Sequence, residues 1–269
     1  MCRILEVSKS GYYAWKGREK SPGQVENEEL LIDIRRLFME HKQNYGSPRI
    51  WNALRLEGVP CSLNRVERLM RGAGMAAVHK HKFRVTTDSK HNLPVAKNIL
   101  NRNFETDGPN KVWLSDITYV WTMEGWLYLA FVLDLYCRGV IGLAMAARMT
   151  DDLTVGALNQ ALLRRCPPGE VLFHSDQGSQ YASNRQQEIL RENGIIPSMS
   201  RKGNCWDNAP GESFIGTLKV EKIHRCRFKT REQAKREIFE YVEMYYNRKR
   251  LHSSLGYMSP FEYEKRIIQ

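Results

Sequence analysis

Residues 111–147 read KVWLSDITYVWTMEGWLYLAFVLDLYCRGVIGLAMAA and form the most apolar long stretch of the chain. Aromatic and β-branched residues dominate it, and turn-forming residues interrupt it twice, at Glu124-Gly125 and Arg138-Gly139. The pattern predicts three strands joined as a meander. Their expected bounds are Lys111–Trp121, Trp126–Tyr136 and Val140–Ala147.

Helices and strands alternate after this meander. A helix from Thr150 or Asp151 to Arg165 ends at Pro167-Pro168-Gly169. The strand Val171–His174, the helix Asn184–Asn193 and the strand Ile195–Met199 follow, with Gly194 ending that helix. This order predicts an α/β fold, a mixed five-stranded sheet with flanking helices. Two further helices are expected over Pro210–Arg225 and Thr230–Asn247, the second ending in the basic stretch NRKRLH.

The N-terminal part is predicted to be a small all-helical domain. Three helices are expected: Glu26–Lys42, one capped by Ser47 and ending at Gly58, and one capped by Ser62 and ending near Arg71. The short turn before the third helix is typical of a helix-turn-helix domain. Arg65, Arg68 and Arg71 recur along one face of that helix, which favours DNA contact over a solvated basic face of a helical bundle.

Charge is distributed unevenly along the 269 residues, whose net charge is +11. Residues 1–108 carry +7, residues 109–200 carry −2 and residues 201–269 carry +6. Basic flanks around a slightly acidic centre indicate a polyanionic partner, most simply nucleic acid, although an ordinary basic protein has the same balance. The longest apolar runs have eight residues, whereas a membrane-spanning helix needs about 20.

Three acidic residues stand where a sheet and its helices can bring them together. Asp116 is in the first strand, Asp176 follows the fourth strand, and Glu212 is in the first turn of a later helix. Taken alone, each has a structural interpretation: a paired strand carboxylate, a turn-forming Asp, and a partner of the helix dipole. Converging carboxylates would repel each other unless divalent cations lay among them. Two Mg²⁺ ions about 3.5–4 Å apart suit in-line phosphoryl displacement by water or a DNA 3′-hydroxyl.

Basic side chains near these acids are candidates for contact with DNA. Lys219 lies two turns beyond Glu212 on the same helix face, where it either meets a phosphate or is a solvated lysine. Arg201 and Lys202 belong to RKGNCWDN, a loop between strand and helix that suits DNA contact.

The chain resembles one known family along nearly its whole length. The matching stretches are YGSPRI, PNKVWLSDITYV, HSDQGSQY, SMSRKGNCWDNAPGESFIGTLKVE and YYNRKRLHSSLGYMSP. They resemble the second-frame (OrfB) transposases of bacterial insertion sequences of the IS-three family, within the DDE transposase and retroviral integrase superfamily. Thirty-five residues separate Asp176 from Glu212, as in the D,D-35-E pattern of that family.

The resemblance implies a ribonuclease-H-like catalytic core in which Asp116, Asp176 and Glu212 hold two Mg²⁺ (or Mn²⁺) ions. It places Lys219 near the terminal nucleotides of the element, and it leaves Asp134 structural because that residue matches no position of the triad. The domains then expected are an N-terminal extension (1–24), a helix-turn-helix-like DNA-binding domain (25–80), a basic linker (81–108), the catalytic core (109–225) and a C-terminal helical basic tail (226–269).

The function implied by the resemblance is that of a transposase catalytic subunit, which cleaves DNA at element ends and transfers the freed strand. Its expected partners are double-stranded DNA of the terminal inverted repeats and of the target, an upstream-frame protein joined by frameshifting, and further copies of the chain. Its expected place is the cytoplasm, on the nucleoid, with no membrane. Two alternatives remain: a nuclease of the same fold that cleaves without joining, and a non-catalytic DNA-binding regulator of transposition.

Overall fold

The computed structural model describes Ile4 and residues 7–78, 93–201 and 204–266. The chain divides into two compact units, Met1–Ala77 and Val78–Gln269. In the ranges just given, no helix is both long and apolar enough to cross a bilayer. The part of the predicted basic linker before residue 93 lies outside the described residues.

The first unit is helical, as predicted. Its helices are α1 (Lys9–Lys16), α2 (Pro22–Glu40), α3 (Ser47–Leu56) and α4 (Leu63–Gly72). Ser62 caps α4 by accepting a hydrogen bond from the N–H of Arg65. Ser47 is wrong as a cap: Gly46 is the N-cap of α3, and Ser47 is its first residue. Helix α1 was not predicted.

The second unit is built on a five-stranded sheet in the order β3-β2-β1-β4-β5. Strands β1, β2 and β3 form an antiparallel meander, and β4 and β5 extend the sheet in parallel from β1. The five predicted strands are therefore confirmed, with ends that differ by at most two residues. Their bounds are Val112–Thr122, Gly125–Asp134, Val140–Ala146, Val171–Ser175 and Ile195–Met199.

Helices cover both faces of this sheet, which confirms the predicted fold class. One face packs against α7, α8 and the tyrosines that follow α8, around Leu114, Phe131 and Phe214. The other face packs against α5 and α6, around Trp113 and Val132. The helices are α5 (Asp151–Arg165), α6 (Asn184–Glu192), α7 (Ala209–Glu221), α8 (Arg231–Glu240) and α9 (Pro260–Lys265).

The C-terminal helices differ from the prediction in their length. Helix α7 ends at Glu221, before a 3₁₀ turn at Ile223–Arg225, and α8 ends at Glu240, where the chain continues as a π-helix, Tyr241–Tyr246. Tyr241, Tyr245 and Tyr246 are all buried in the same core. The wider i→i+5 turn lets these neighbouring rings face one core, and hydrophobic periodicity does not distinguish it from an ordinary helix. Helix α9 was not predicted.

Candidate active site

The pairing of β1 with β4 brings Asp116 and Asp176 to the same part of the sheet. β1 and β4 are parallel neighbours in which Leu114 pairs with His174. Asp116 is two residues beyond Leu114 on β1, Asp176 is the first residue after β4, and the charge of Asp176 acts on Asp116. Asp176 leaves the strand in a turn, where its Oδ1 accepts a hydrogen bond of 2.9 Å from the N–H of Gly178.

Glu212 joins them because α7 begins close against β1. A Cβ on Gly211 would lie 2.7 Å from Cδ2 of the buried Leu114, so a side chain at that position would clash with β1. Asn208, the N-cap of α7, donates a hydrogen bond of 2.8 Å from Nδ2 to Oδ2 of Asp116. The missing side chain at Gly211 thus allows the first turn of α7 to approach Asp116.

The three acids are all half-buried, and the charges of Asp176 and Glu212 affect the ionisation of Asp116. Burial raises the pKa of Asp116 well above its usual range, and the negative charges of Asp176 and Glu212 raise it further. Hydrogen bonds from the N–H of Ile117 and from Asn208 oppose this rise. Burial also raises the pKa of Glu212. The arrangement concentrates negative charge, which a cation would compensate.

Lys219 also lies in this neighbourhood. Burial lowers its pKa, and the charge of Asp116 opposes that change, so the two residues interact electrostatically. Its Nζ lies 5.2 Å from the centroid of the Tyr119 ring, in a cation–π contact. The lysine expected near the acids is therefore half-buried at their side.

The residues at this place have the chemistry that a hard divalent cation requires. Mg²⁺ takes oxygen ligands, mostly carboxylates, and keeps several waters. Asn208 adds an amide oxygen, a buried Oδ1 that has no hydrogen-bond partner within the described part of the chain. In that same part, no three acidic, histidine or cysteine side chains are arranged as a ready-made metal site. The donor types fit such an ion, although the side chains are not preassembled around one position.

A buried hydroxyl pair supports the sheet beneath the acids. Ser115 donates from Oγ to the carbonyl oxygen of Phe131 over 2.7 Å, so its oxygen is left to accept a hydrogen bond of 2.8 Å from the hydroxyl of Tyr181. Burial raises the pKa of Tyr181 well above its usual range, and Asp116 and Asp176 raise it further. Tyr181 therefore remains a neutral donor beside two acids.

Asp207, which sequence reasoning missed, organises the loop before α7. Its fully buried carboxylate accepts hydrogen bonds from Nε and Nη2 of Arg201, at 2.9 and 2.7 Å, and from the backbone N–H of Arg201. It also accepts from Arg102 and Asn98. The Arg201 guanidinium holds the pKa of Asp207 well below its usual range. Arg201, predicted to contact DNA, is thus engaged with Asp207, and Lys202 lies outside the described residues.

The three arginines of α4 have different surroundings. Arg65 donates from Nε to Oδ1 of Asn27 over 2.7 Å and pairs with Glu26, so it ties α4 to α2. Arg68 is exposed, and Arg71 is exposed while pairing with Glu67 on its own helix.

Asp134 accepts hydrogen bonds from backbone groups at the ends of two strands. It is fully buried, and its two carboxylate oxygens accept hydrogen bonds from the N–H groups of Asn110 and Tyr136, at 2.9 and 3.0 Å. It therefore fastens the backbone at the ends of β1 and β2, as expected for a structural residue.

Comparisons with known proteins agree with this architecture. Family models match an HTH-like domain over residues 25–83 and integrase core domains over residues 106–205 and 212–268. The 31 kDa protein of insertion element IS600 from Shigella sonnei is 44% identical over 269 residues, which are 100% of this chain and 99% of that protein. Transposase InsF for insertion sequence IS3A from Escherichia coli (strain K12) is 42% identical over 270 residues, 100% of this chain and 94% of that protein.

A solved structure shares the fold at low identity. An intasome of simian T-cell lymphotropic virus, in complex with the PP2A regulatory subunit B56 gamma, has a TM-score of 0.50 at 16% identity. The match covers 79% of this chain and 69% of that one. This likeness concerns the fold alone.

Proposed function

The chain belongs to the family of the IS3 transposase InsF, and from this premise we propose that it is the catalytic subunit of a DDE-type DNA transposase. Its reaction is the cleavage of DNA at the ends of an insertion sequence and the transfer of the freed strand. The observation that supports the proposal is that the charges of Asp176, after β4, and of Glu212, at the start of α7, both act on Asp116 in β1.

The proposed chemistry has two phosphoryl-transfer steps. In the first, a water oxygen bonds to phosphorus while the P–O3′ bond breaks, and the 3′ oxygen leaves with a proton. In the second, the freed 3′-hydroxyl attacks a phosphodiester of another strand, whose own 3′ oxygen leaves protonated. No covalent bond between protein and DNA is needed in either step.

Asp116, Asp176 and Glu212 are the proposed ligands of two Mg²⁺ (or Mn²⁺) ions. When bound, such ions activate the attacking oxygen and neutralise charge on the leaving oxygen. Asn208 orients the carboxylate of Asp116 through its hydrogen bond. Lys219, beside Asp116, is positioned to contact a phosphate of the bound strand.

DNA binding is the second part of the proposal. The helix-turn-helix-like domain and the integrase core imply DNA as the substrate. Arg68 and Arg71 on α4, Arg65 beside α2, and Arg201 and Lys202 before α7 are the proposed contacts to terminal repeats and target DNA. We further propose an upstream-frame protein and a second copy of the chain as partners, because two element ends must be joined, and a location on the cytoplasmic nucleoid.

The experiment that tests this function uses the full chain with the upstream-frame protein, element-end DNA and Mg²⁺. Asp116→Asn, Asp176→Asn and Glu212→Gln should each abolish cleavage and joining while leaving DNA affinity unchanged. Each change removes a charge and little volume. Glu170→Gln, at an exposed position away from the site, is the matched control and should behave as the wild type.

The outcomes separate the proposal from its alternatives. Cleavage without any joined product would identify a nuclease of the same fold. DNA binding with no cleavage under any metal condition would favour a regulator. Joining at the wild-type rate by all three acid variants would refute the assignment of the catalytic acids.

A further inference from the structure

Exposed aromatic side chains lie at the end of the β1–β2 hairpin. Trp121 is directly opposite Trp126 in the antiparallel register, and their ring centroids are 4.8 Å apart. Tyr119, two residues before Trp121 on the same face of β1, contacts the Trp126 ring at 5.0 Å. We call Tyr119, Trp121, Met123 and Trp126 the aromatic hairpin surface.

The side chains of this surface are unusually exposed to solvent for large apolar residues. Trp121 is 60% exposed, Met123 77% and Trp126 43%, whereas Trp113 on the same strand is fully buried. Antiparallel pairing already orders the two tryptophans, so little conformational freedom remains to be lost when something binds. Contiguous exposed aromatic area of this kind marks an interaction site rather than scattered surface residues.

Lys219 links the aromatic hairpin surface to the candidate active site. Lys219 lies over the ring of Tyr119 at 5.2 Å, and the same lysine interacts with Asp116. Along β1, Tyr119 is three residues from Asp116, a rise of about 10 Å, so the two side chains leave opposite faces of the strand. β4 pairs with β1 only as far as Leu114, so a DNA strand held at the acids has a path past Lys219, along the unpaired edge of β1, to this surface.

Positive side chains of the segment that precedes α8 border the aromatic hairpin surface. The N–H of Met123 donates to the carbonyl oxygen of Phe228 over 3.0 Å, and Nε of Arg231 donates to the carbonyl oxygen of Trp126 over 3.0 Å. This contact places a segment with the exposed Arg227 and Lys229 beside the hairpin. Aromatic rings bordered by cations are the combination by which proteins bind single-stranded nucleic acid, with bases on the rings and phosphates near the cations.

We propose that the aromatic hairpin surface binds unpaired bases of the DNA strand that is processed at the candidate active site, by stacking on Trp121 and Trp126. The inference rests on the proposed function and adds a subsite to it. Because every base has a π-face, this subsite recognises that bases are unpaired rather than what their sequence is. The cations along its border favour a polyanion over an apolar protein partner.

The experiment measures binding by the full chain, without divalent metal and at fixed salt, so that it does not depend on catalysis. Three fluorescent probes are compared: a blunt duplex, the same duplex with a single-stranded overhang, and that overhang built from abasic sugars. The wild type should prefer the base-containing overhang to the abasic one by about tenfold, the effect of stacking one base. Trp121→Ala with Trp126→Ala should abolish the preference and leave affinity for the blunt duplex unchanged.

Two control variants test whether the preference depends on the aromatic rings of this surface in particular. Trp121→Phe with Trp126→Phe retains the rings and should retain most of the preference. Trp15→Ala removes a tryptophan that is 68% exposed in the other compact unit and should leave the ratio of the two overhang affinities unchanged. Thermal unfolding of each variant checks that its fold is intact.

Two results would overturn the proposal. One is a wild type that binds the abasic and base-containing overhangs equally. The other is a double alanine variant that keeps the preference, or that loses self-association in sedimentation instead, which would assign the surface to a second copy of the chain. Either result would leave the acid-variant test of the proposed function unaffected.

Discussion

The side-chain amide of Asn208 donates a hydrogen bond of 2.8 Å to the carboxylate of Asp116, so the N-cap of α7 is tied directly to the middle of β1. Asn208 is 4% exposed. The contact orients one proposed metal ligand through a residue on the element that carries another, Glu212. The hydrogen bond therefore couples the position of the start of α7 to the position of the Asp116 carboxylate on β1.

Asn208→Ala should therefore impair catalysis more than stability. Loss of a residue that orients a metal ligand typically costs about 10- to 100-fold in metal affinity or activity. We expect cleavage to require more Mg²⁺, with near-normal DNA affinity. Asn193→Ala is the matched control, because Asn193 is exposed and its side chain donates to the carbonyl oxygen of Ile189 at the end of α6. An unchanged Mg²⁺ dependence in Asn208→Ala would show that Asp116 does not need this orientation.

His174 should make folding sensitive to acid. Ser198 accepts hydrogen bonds from the N–H groups of Ile99 and Leu100, so its own proton is donated to Nδ1 of His174, which must be neutral to accept it. Burial lowers the pKa of His174 from 6.5 to about 4, with Asp207 opposing. Between these values the unfolded chain binds the extra proton, so the free energy of unfolding falls as the pH falls, by up to about 3 kcal/mol.

Denaturant titrations above and below this pH window test the prediction. His174→Gln should be less stable than the wild type at neutral pH but should lack this part of the pH dependence. Other carboxyl groups also titrate in this pH range, but both proteins contain them. Their contribution to the pH dependence of the unfolding free energy therefore cancels when the two proteins are compared. Parallel stability curves for the two proteins would mean that His174 is not the group responsible.

Arg250 should be essential for folding rather than for DNA contact. It belongs to the basic stretch at the end of the predicted helix, yet it is 4% exposed and forms a buried ion pair with Glu221 of α7, with Nη2 2.7 Å from Oε1. The hydroxyl of Tyr241 donates to the same carboxylate. Arg250→Ala leaves Glu221 buried without its partner, a loss of about 3–5 kcal/mol in unfolding free energy.

The control for this prediction is the exposed neighbour Arg248. Arg248→Ala should change the unfolding free energy by less than about 0.5 kcal/mol. Arg250→Met combined with Glu221→Gln removes both charges and should recover part of the lost stability. If Arg250→Ala instead unfolds like the wild type and weakens DNA binding, the pair is open in solution and the arginine contacts DNA.

Local sequence signals were sufficient for the strands but not for all of the site. β-Branched runs and turn residues located β1 to β5 within two residues, because those signals act over a few positions. The sequence predicted no functional role for Asp207 or Asn208, since their partners Arg102, Asn98 and Asp116 are far away in the sequence. The one sequence feature that could have pointed to these two residues is an Asp-Asn pair directly before a predicted helix.

Basic residues show the same limit of local sequence patterns, which do not reveal partners that are distant in the sequence. Arg65 and Arg250 belong to predicted basic surfaces, and both form ion pairs with carboxylates of helices α2 and α7, Glu26 and Glu221. A charge pattern counts cations, but it does not reveal which of them folding has already paired. The arginines that remain exposed, such as Arg68, are the better candidates for DNA contact.

The closeness of the acids predicts a coupled titration that needs neither DNA nor metal. Burial is the largest cause of the raised pKa of Asp116, and the charge of Asp176 is the next. Asp176→Asn removes that charge, so the pKa of Asp116 should fall toward its usual range. Carboxyl carbon shifts followed by NMR across a pH series measure this directly. Glu170→Gln, which is exposed, should leave the titration of Asp116 unchanged. If Asp176→Asn also leaves it unchanged, the two carboxyls are too far apart in solution to share a cation.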